Sequence, residues 1–218
     1  MWNQFMRKKG EHNDLLNFNS RIHIDQPNAV SIFQANLGLF LTHLYDRSSD
    51  LIILCIGTDR STGDSLGPLT GSKLQQLDLR PAHVYGTLDE PVHAVNLQEI
   101  IQQIEADHAN PFIIALDACL GRTESVGYVS IKEGPLQPGT GVNKNLPAVG
   151  NLHVIGIVNV GGFMEYMVLQ NTRLSLVMKM AEIISQGLYR EVQKIYRAEP
   201  AGAGSAAVTL ETAPAPLL

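Results

Sequence analysis

Residues 51–68 read LIILCIGTDRSTGDSLGP, which is a run of six apolar residues followed by a loop with two aspartates and three glycines. A continuous apolar run of this length is typical of a strand that is buried on both faces of a mainly parallel sheet. Apolar residues at helical spacing resume at about Ser65 and continue to Leu77. The stretch therefore predicts a strand, a loop and a helix in succession, the basic unit of an α/β fold.

The same alternation continues along the chain. Further strands are predicted at 83–87, 112–116, 127–132 and 152–158, and further helices at 29–45, 96–107 and 163–196, the last with a break near 171–172. The strand at 127–132 alternates apolar with polar or small residues, which favours an edge strand covered on one face. Alternating strands and helices predict a three-layer α/β/α sandwich.

Composition predicts one folded domain with loose ends. The chain has 218 residues, of which 44% are hydrophobic and 17% charged, enough apolar material for a sizeable core. We expect this domain to span residues 21–197. Residues 1–20 are predicted to be loose, and residues 198–218, rich in Ala, Gly and Pro, are predicted to be a disordered tail.

Charge and hydropathy narrow the classes of partner. The formal net charge is -5 and the basic residues are scattered, which indicates neither nucleic acid nor a membrane surface as partner. The N-terminus lacks the apolar core of a signal peptide, and no later stretch reaches roughly 18 uninterrupted apolar residues. We therefore expect a soluble, cytoplasmic protein.

Two of the predicted loops carry an aspartate just after a strand. Asp64 lies in the loop that follows the first strand, and Asp117 lies in LDACLGR (116–122), which follows the strand at 112–116. Ligands of open α/β sheets bind beyond the carboxyl ends of the strands. If these two strands are neighbours, the carboxyl groups of Asp64 and Asp117 come together, and the pair is the leading candidate for the site.

Both aspartates also have structural interpretations. Asp64 could cap the helix that begins at Ser65, and Asp117 could form an ion pair with Arg122. Asp59 is interpreted as a turn residue. These alternatives stay open from the residues alone.

A nucleophilic or metal site is a further alternative. Cys119 could be a nucleophile, but the sequence shows no neighbouring base, so it is interpreted as a small packing residue. A divalent metal could bind the two aspartates together with His93 or His153, although no H-x-x-x-H or C-x-x-C spacing supports such a site. The preferred expectation is that the protein needs no metal and no cofactor.

Residues 57–67 partly match two well-known functional motifs, but the sequence supports neither function. The spacing of Gly57, Gly63 and Gly67 matches neither of the glycine-rich nucleotide loops. Residues 63–66 spell GDSL, as in a family of serine hydrolases, but that chemistry needs a histidine base oriented by an acid. No histidine follows His153 and no aspartate follows Asp117.

Three segments occur together in an order that is typical of a known family: GDSLGP at 63–68, the dipeptide Asp117-Ala118, and PGTGVN at 138–143. With them the chain resembles the germination protease family of spore-forming bacteria, and most closely its shorter, YyaC-like sporulation branch. The resemblance runs from about Leu51 to Met180. It implies a hydrogenase-maturation-protease-like, phosphorylase/hydrolase-like fold: a mixed five-stranded sheet in the order 2-1-3-5-4 with strand 4 antiparallel.

The resemblance also implies an aspartic endopeptidase of the spore or sporulating cell. Asp64 and Asp117 correspond to its catalytic pair. The expected substrate-binding residues are Gly63, Gly139, Thr140, Gly141, Asn143 and Lys144, of which the resemblance implies those of the PGTGVN segment. The partner would be a peptide or protein substrate, with small spore proteins as the candidate class.

Two other functions stay open. One is a non-catalytic sporulation factor that binds a peptide or small ligand in the same cleft, and the other is a metal-dependent maturation peptidase.

A pair of carboxyl groups can catalyse hydrolysis because the two groups cannot both ionise easily. At about 4 Å and an effective dielectric constant near 20, their repulsion is roughly 4 kcal/mol, equivalent to about three pKa units. One group then keeps its proton near neutral pH and can donate it, while the other accepts a proton from water. We therefore expect Asp64 and Asp117 to share a proton.

Overall fold

A computed structural model describes residues 20–139 and 146–197. Its strands are β1 (Arg21–His23), β2 (Asp50–Cys55), β3 (His83–Tyr85), β4 (Pro111–Gly121), β5 (Tyr128–Glu133) and β6 (Leu152–Val160). Its α-helices are α1 (Ala29–Leu44), α2 (Leu66–Gln76), α3 (Leu97–Asp107), α4 (Glu165–Gln170) and α5 (Leu174–Arg197). The predicted disordered tail and nearly all of the predicted loose N-terminal segment lie outside the described residues.

The strands form one open, mixed sheet in the order β1-β5-β6-β4-β2-β3. Strands β3, β2, β4 and β6 are parallel, and β5 is antiparallel to β6. The predicted order 2-1-3-5-4 corresponds to β3-β2-β4-β6-β5, so the order and the antiparallel fourth strand are confirmed. In particular, β2 and β4 are neighbours, as the site prediction requires.

The prediction of five strands with β5 at the edge is wrong. A sixth strand, β1, pairs antiparallel with β5 through Arg21, Ile22 and His23. Ile22 is 1% exposed, so this short strand is part of the core as well as of the sheet. Three residues are too few to show a period-two pattern, which explains why the sequence did not reveal β1.

Helices cover both faces of the sheet. On one face α1, α2 and α5 pack on the sheet and include buried Phe33 and Leu188, and on the other α3 packs through Leu97 and Ile104. Alternate residues of the apolar run at 51–56 pack into the core on opposite faces of the sheet. Leu51, Ile53 and Cys55 belong to the first cluster, whereas Ile52, Leu54 and Ile56 belong to the second. The three-layer α/β/α sandwich is therefore confirmed, and it explains the absence of polar alternation in residues 51–56.

The long C-terminal helical region is divided as predicted, because α4 ends at Gln170 and α5 begins at Leu174. Within the described ranges, none of the helices is both long enough and apolar enough to cross a membrane.

Candidate active site

Tight backbone packing fixes the position of Asp64. Gly63, Asp64 and Ser65 form a single 3-10 turn that leads into α2. The carbonyl oxygen of Asp64 accepts a hydrogen bond from the amide of Thr58 at 3.0 Å, so the loop folds back onto the end of β2. A Cβ atom at Gly57 would lie 2.0 Å from that same carbonyl oxygen. The loop therefore closes only with a glycine at position 57.

The other two glycines of this loop also serve close packing. A Cβ atom at Gly67 would lie 2.0 Å from the carbonyl oxygen of Ile56, and one at Gly63 would lie 2.8 Å from side-chain atoms of Leu169 and Thr172. Gly67 lets the first turn of α2 contact the end of β2, and Gly63 lets the turn contact α4. The three glycines therefore hold the loop of Asp64 against its neighbours.

The structure places Asp117 inside a strand and not in a loop after one. β4 continues to Gly121, five residues beyond the predicted end, and Asp117 pairs with Ile155 of β6. On its other side β4 loses its partner after Leu116, which pairs with the last residue of β2. The 63–65 turn lies against β4 there. Asp117 and Asp64 thus come together because β4 is longer than β2.

The two aspartates line one cleft at the carboxyl edge of the sheet. Two adjoining pockets share Asp64, Asp117, Gly139 and Leu169. The first extends along β4 and β6 past Cys119, Leu120 and Ile155. The second extends over the end of β2, and its other lining residues include Ile56, Ala94, Val95, Leu146 and Tyr166. The acidic pair therefore lies between a strand-lined pocket and a largely apolar one.

The electrostatics of the two carboxyl groups differ. Burial and the nearby charge of Asp64 raise the pKa of Asp117 well above its ordinary value, although its Oδ1 accepts a hydrogen bond from the amide of Ala118 at 2.8 Å. Burial also raises the pKa of Asp64, and the neighbouring His93 partly offsets that rise. Asp117 is thus the group that keeps its proton, and Asp64 is the group that ionises first.

Asp64 does lie in the first turn of a helix, as its structural interpretation expects, but neither aspartate makes the side-chain contact that these interpretations propose. Asp64 forms no side-chain cap on the 3-10 turn or on α2. No ion pair within the described part of the chain joins Asp117 to Arg122. Both carboxyl groups are therefore left to interact with each other and with whatever enters the cleft.

Cys119 lines the cleft but does not have the chemistry of a nucleophile. Burial, with a contribution from the charge of Asp117, raises the pKa of its thiol to about 11. The thiolate is the reactive form, and at neutral pH it is scarce at such a pKa. The packing interpretation of Cys119 fits the structure better than the nucleophilic one.

The two candidate histidine ligands are placed differently. His93 lines the apolar pocket beside Asp64, because the preceding Val92 forms a parallel bridge with Ile56. His153 is turned away, since its Nδ1 lies 2.8 Å from the carbonyl oxygen of Gly134. Among the described residues, the aspartates form no three-ligand metal group with either histidine. Of the two histidines, His93 is the one that shares a pocket with both aspartates.

The structure describes only two of the proposed substrate-binding residues, and it places them differently. Gly139 lines the cleft, whereas Gly63 is buried against α4. Thr140, Gly141, Asn143 and Lys144 lie outside the described residues. Sequence reasoning missed Glu165, Tyr166 and Leu169, which α4 contributes to the cleft. The sequence predicted that these residues are helical, but their spacing does not indicate which side of the sheet the helix approaches.

The chain thus has an open, mixed sheet with an acidic cleft at the carboxyl edge of its parallel strands. The fold is similar to the crystal structure of the [NiFe] hydrogenase maturation protease HycI from Thermococcus kodakarensis KOD1, with a TM-score of 0.51. The match covers 72% of this chain and 98% of that one at 14% sequence identity, so it concerns the fold alone.

The chain belongs to the family described as "Protein of unknown function (DUF1256)", whose model matches residues 21–187. It is 64% identical over 138 residues to "Uncharacterized protein YyaC" of Bacillus subtilis (strain 168). The alignment covers 63% of this chain and 67% of that protein. The predicted likeness to YyaC is therefore confirmed.

Proposed function

We propose that the protein is an aspartic-type peptidase that hydrolyses peptide bonds with Asp64 and Asp117. The observation that carries this proposal is that both carboxyl groups line one cleft, where burial and the charge of Asp64 raise the pKa of Asp117. Two carboxyl groups with different proton affinities in one site are the arrangement that acid–base hydrolysis needs. The resemblance to the germination protease family and the maturation-protease-like fold add support for a protein substrate.

In the proposed reaction Asp64 is the base and Asp117 the acid. The Asp64 carboxylate accepts a proton from a water molecule as its oxygen attacks the scissile carbonyl carbon. The protonated Asp117 donates its proton to the carbonyl oxygen, which gives a neutral tetrahedral diol. When the C–N bond breaks, the leaving nitrogen takes the proton held by Asp64, and a diol proton returns to Asp117. Atoms and charges balance, with one water consumed for each bond.

The loop after β5 is the proposed substrate-binding segment. Leu136 and Val149 pair through two backbone hydrogen bonds of 2.8 and 3.0 Å, which close the base of this loop beside the cleft. Gly139 lies on the lining just beyond that bridge. We propose that Gly139, with Thr140, Gly141, Asn143 and Lys144, holds the peptide backbone of the substrate beside the two aspartates.

The test uses isosteric variants and a mixture of peptides. Purified wild type, Asp64→Asn and Asp117→Asn are incubated with peptides and proteins from a spore extract, and new termini are identified by mass spectrometry. We expect the rate to fall roughly 100-fold or more in each variant, since acid–base catalysis contributes about 10²–10⁴-fold. Asp59→Asn is the matched control, because Asp59 is exposed in the same loop. Equal cleavage by all four proteins would contradict the proposal.

The same assay separates the two alternatives. If cleavage is lost after chelation and restored by Ni²⁺ or Zn²⁺, the maturation-peptidase alternative holds, and His93 beside Asp64 is then the candidate third ligand. If no peptide is cleaved but a peptide binds and Asp64→Asn weakens that binding, the chain is a binding factor. The proposed place of action is the cytoplasm of the spore or sporulating cell, and its link to sporulation rests on the resemblance alone.

A further inference from the structure

A second group of ligand-type side chains lies at the opposite edge of the sheet. Asp50 is the first residue of β2, His83 is the first residue of β3, and His108 follows the last residue of α3. One ligand atom from each of the three lies within 4.8 Å of the others. Parallel strands begin at this edge and end at the cleft, so the group is separate from Asp64 and Asp117.

Hydrogen bonds orient the buried member of the group. His108 Nδ1 lies 3.0 Å from Asp50 Oδ2, and its Nε2 lies 3.1 Å from the hydroxyl of Tyr85. The rings of His83 and His108 are 4.5 Å apart between centroids. If Nδ1 binds a cation, Nε2 carries the hydrogen and donates it to Tyr85. A partner of this kind on the second ring nitrogen is usual for metal-binding histidines.

The exposure of the three residues also suits a metal ion. The side chain of His108 is 8% exposed, whereas that of Asp50 is 52% exposed, and His83 is exposed as well. One imidazole is thus held in place by the fold, while the other two ligands can adjust and leave a path for an ion to enter. Two imidazoles and a carboxylate, completed by water, match the preference of Zn²⁺ and related divalent ions.

We propose that Asp50, His83 and His108 bind a divalent transition-metal ion, with a water molecule as the fourth ligand. The ion connects the starts of β2 and β3 to the end of α3. Binding only to the folded chain stabilises the fold by mass action. The site is independent of the proposed peptidase activity, because it lies at the other end of the strands.

Calorimetric titration of the full chain with Zn²⁺ tests the proposal. The titration is made in the Asp64→Asn/Asp117→Asn double variant, so that the cleft carboxylates contribute no ligand. We expect one equivalent to bind, and His83→Ala in that background to weaken binding about tenfold or more. His43→Ala is the matched control, since His43 is exposed on α1. Absence of binding in the background protein, or equal affinity with and without His83, would overturn the proposal.

A second measurement separates coordination from a structural role of these side chains. Co²⁺ gives strong visible absorption in a four-coordinate site, and we expect that absorption to depend on both Asp50 and His83. Tyr85→Phe should keep the absorption but lower the affinity about 10–100-fold, since a partner of a metal ligand is removed. The melting temperature should rise with Zn²⁺ in the background protein and not in its His83→Ala variant. A rise of equal size in both would contradict the site.

Discussion

Asp117 and Asp64 have the same side chain but different surroundings. Asp117 lies within β4, and the charge of Asp64 adds to the effect of its burial, whereas the effect of burial on Asp64 is partly offset by His93. Proximity of like charges and loss of hydration both favour a protonated carboxyl group. The difference between the two residues is what assigns the acid to Asp117 and the base to Asp64.

The raised pKa of Asp117 has a consequence for stability. A carboxyl group whose pKa is higher in the folded than in the unfolded chain binds its proton more tightly when folded, so stability falls as pH rises from about 4 through the folded pKa. Each unit of elevation costs about 1.4 kcal/mol above the folded pKa. We therefore expect Asp117→Asn to be more stable than wild type at pH 7, with the difference disappearing near pH 4.

Denaturant unfolding at several pH values measures this effect. Asp59→Asn should follow the wild-type curve, because Asp59 is exposed and outside the cleft lining. An Asp117→Asn variant that is less stable than wild type at pH 7 would show that the folded chain needs the ionised carboxylate.

The thiols offer a second prediction for single residues. Burial raises the pKa of Cys55 to about 12, and burial with the charge of Asp117 raises that of Cys119 to about 11. We expect iodoacetamide to label Cys119 roughly 100-fold or more slowly at pH 7.5 than in the unfolded chain, since the thiolate is the reactive form. Peptide mapping by mass spectrometry follows the labelling. Rapid, selective labelling of folded Cys119 would restore it as a candidate nucleophile.

Among the secondary-structure elements, α2 depends on glycines that face the sheet. Gly67 and Gly71 are one turn apart, and a Cβ atom at either would lie far inside van der Waals contact of a backbone oxygen, 2.0 Å from Ile56 O and 1.9 Å from Gly86 O. A side chain at these positions would push α2 away from β2 and β3. Because α2 follows the turn that carries Asp64, the same contact positions the candidate base.

We expect Gly67→Ala to lower the free energy of unfolding by about 3 kcal/mol or more, beyond the usual cost of overpacking because the clash is with backbone. Gln75→Ala, an exposed change on the same helix, should cost far less. Denaturant unfolding compares the two variants. A Gly67→Ala protein of wild-type stability would mean that α2 lies further from β2 than described.

The edge strand β1 provides a prediction for the sheet. Ile22 is 1% exposed and packs in the cluster between α1 and the sheet. Truncation of a buried isoleucine typically costs 2–5 kcal/mol, so we expect Ile22→Ala to lose about that much stability. Val95→Ala is the control, since Val95 is 83% exposed. A loss below about 0.5 kcal/mol, typical of surface changes, would indicate that β1 is not part of the folded core.

The sequence predicted the elements whose apolar pattern is long, and missed those whose pattern is short. The apolar run of β2 and the amphipathic spacing of α1 gave clear signals, and the resemblance supplied the strand order. β1 has three residues, and the extension of β4 through residues 118–121 contains small and half-buried residues that do not read as a strand. Pairing with β6 forms that extension, so only the tertiary structure reveals it.

The candidate site, like the fold, could be predicted only in part. Asp64 and Asp117 could be paired because the order of the strands places β2 beside β4. The sequence left open whether His93 or His153 lies beside the aspartates, since the position of His93 depends on a single bridge between Val92 and Ile56. The contribution of Glu165 and Tyr166 depends on the direction of α4 after β6, which residue spacing does not encode.

For the whole molecule, the parallel sheet separates two groups of polar side chains. The strands end at a cleft with two carboxyl groups of raised pKa, and they begin at a group of two histidines and an aspartate. The first group suits proton transfer, and the second suits a metal ion. Since no described residue belongs to both, loss of the metal site is expected to alter stability without altering the protonation of the cleft.

Asp117 holds a proton because it is buried in the cleft and because Asp64 is near it. NMR titration of ¹³C-labelled aspartate carboxyl groups, assigned with Asp64→Asn and Asp117→Asn, measures this directly. We expect the Asp117 carboxyl group of the wild type to titrate well above the ordinary aspartate pKa of about 3.9, and to titrate lower when Asp64 is replaced by Asn. An ordinary pKa for Asp117, or one that the loss of Asp64 leaves unchanged, would contradict the account.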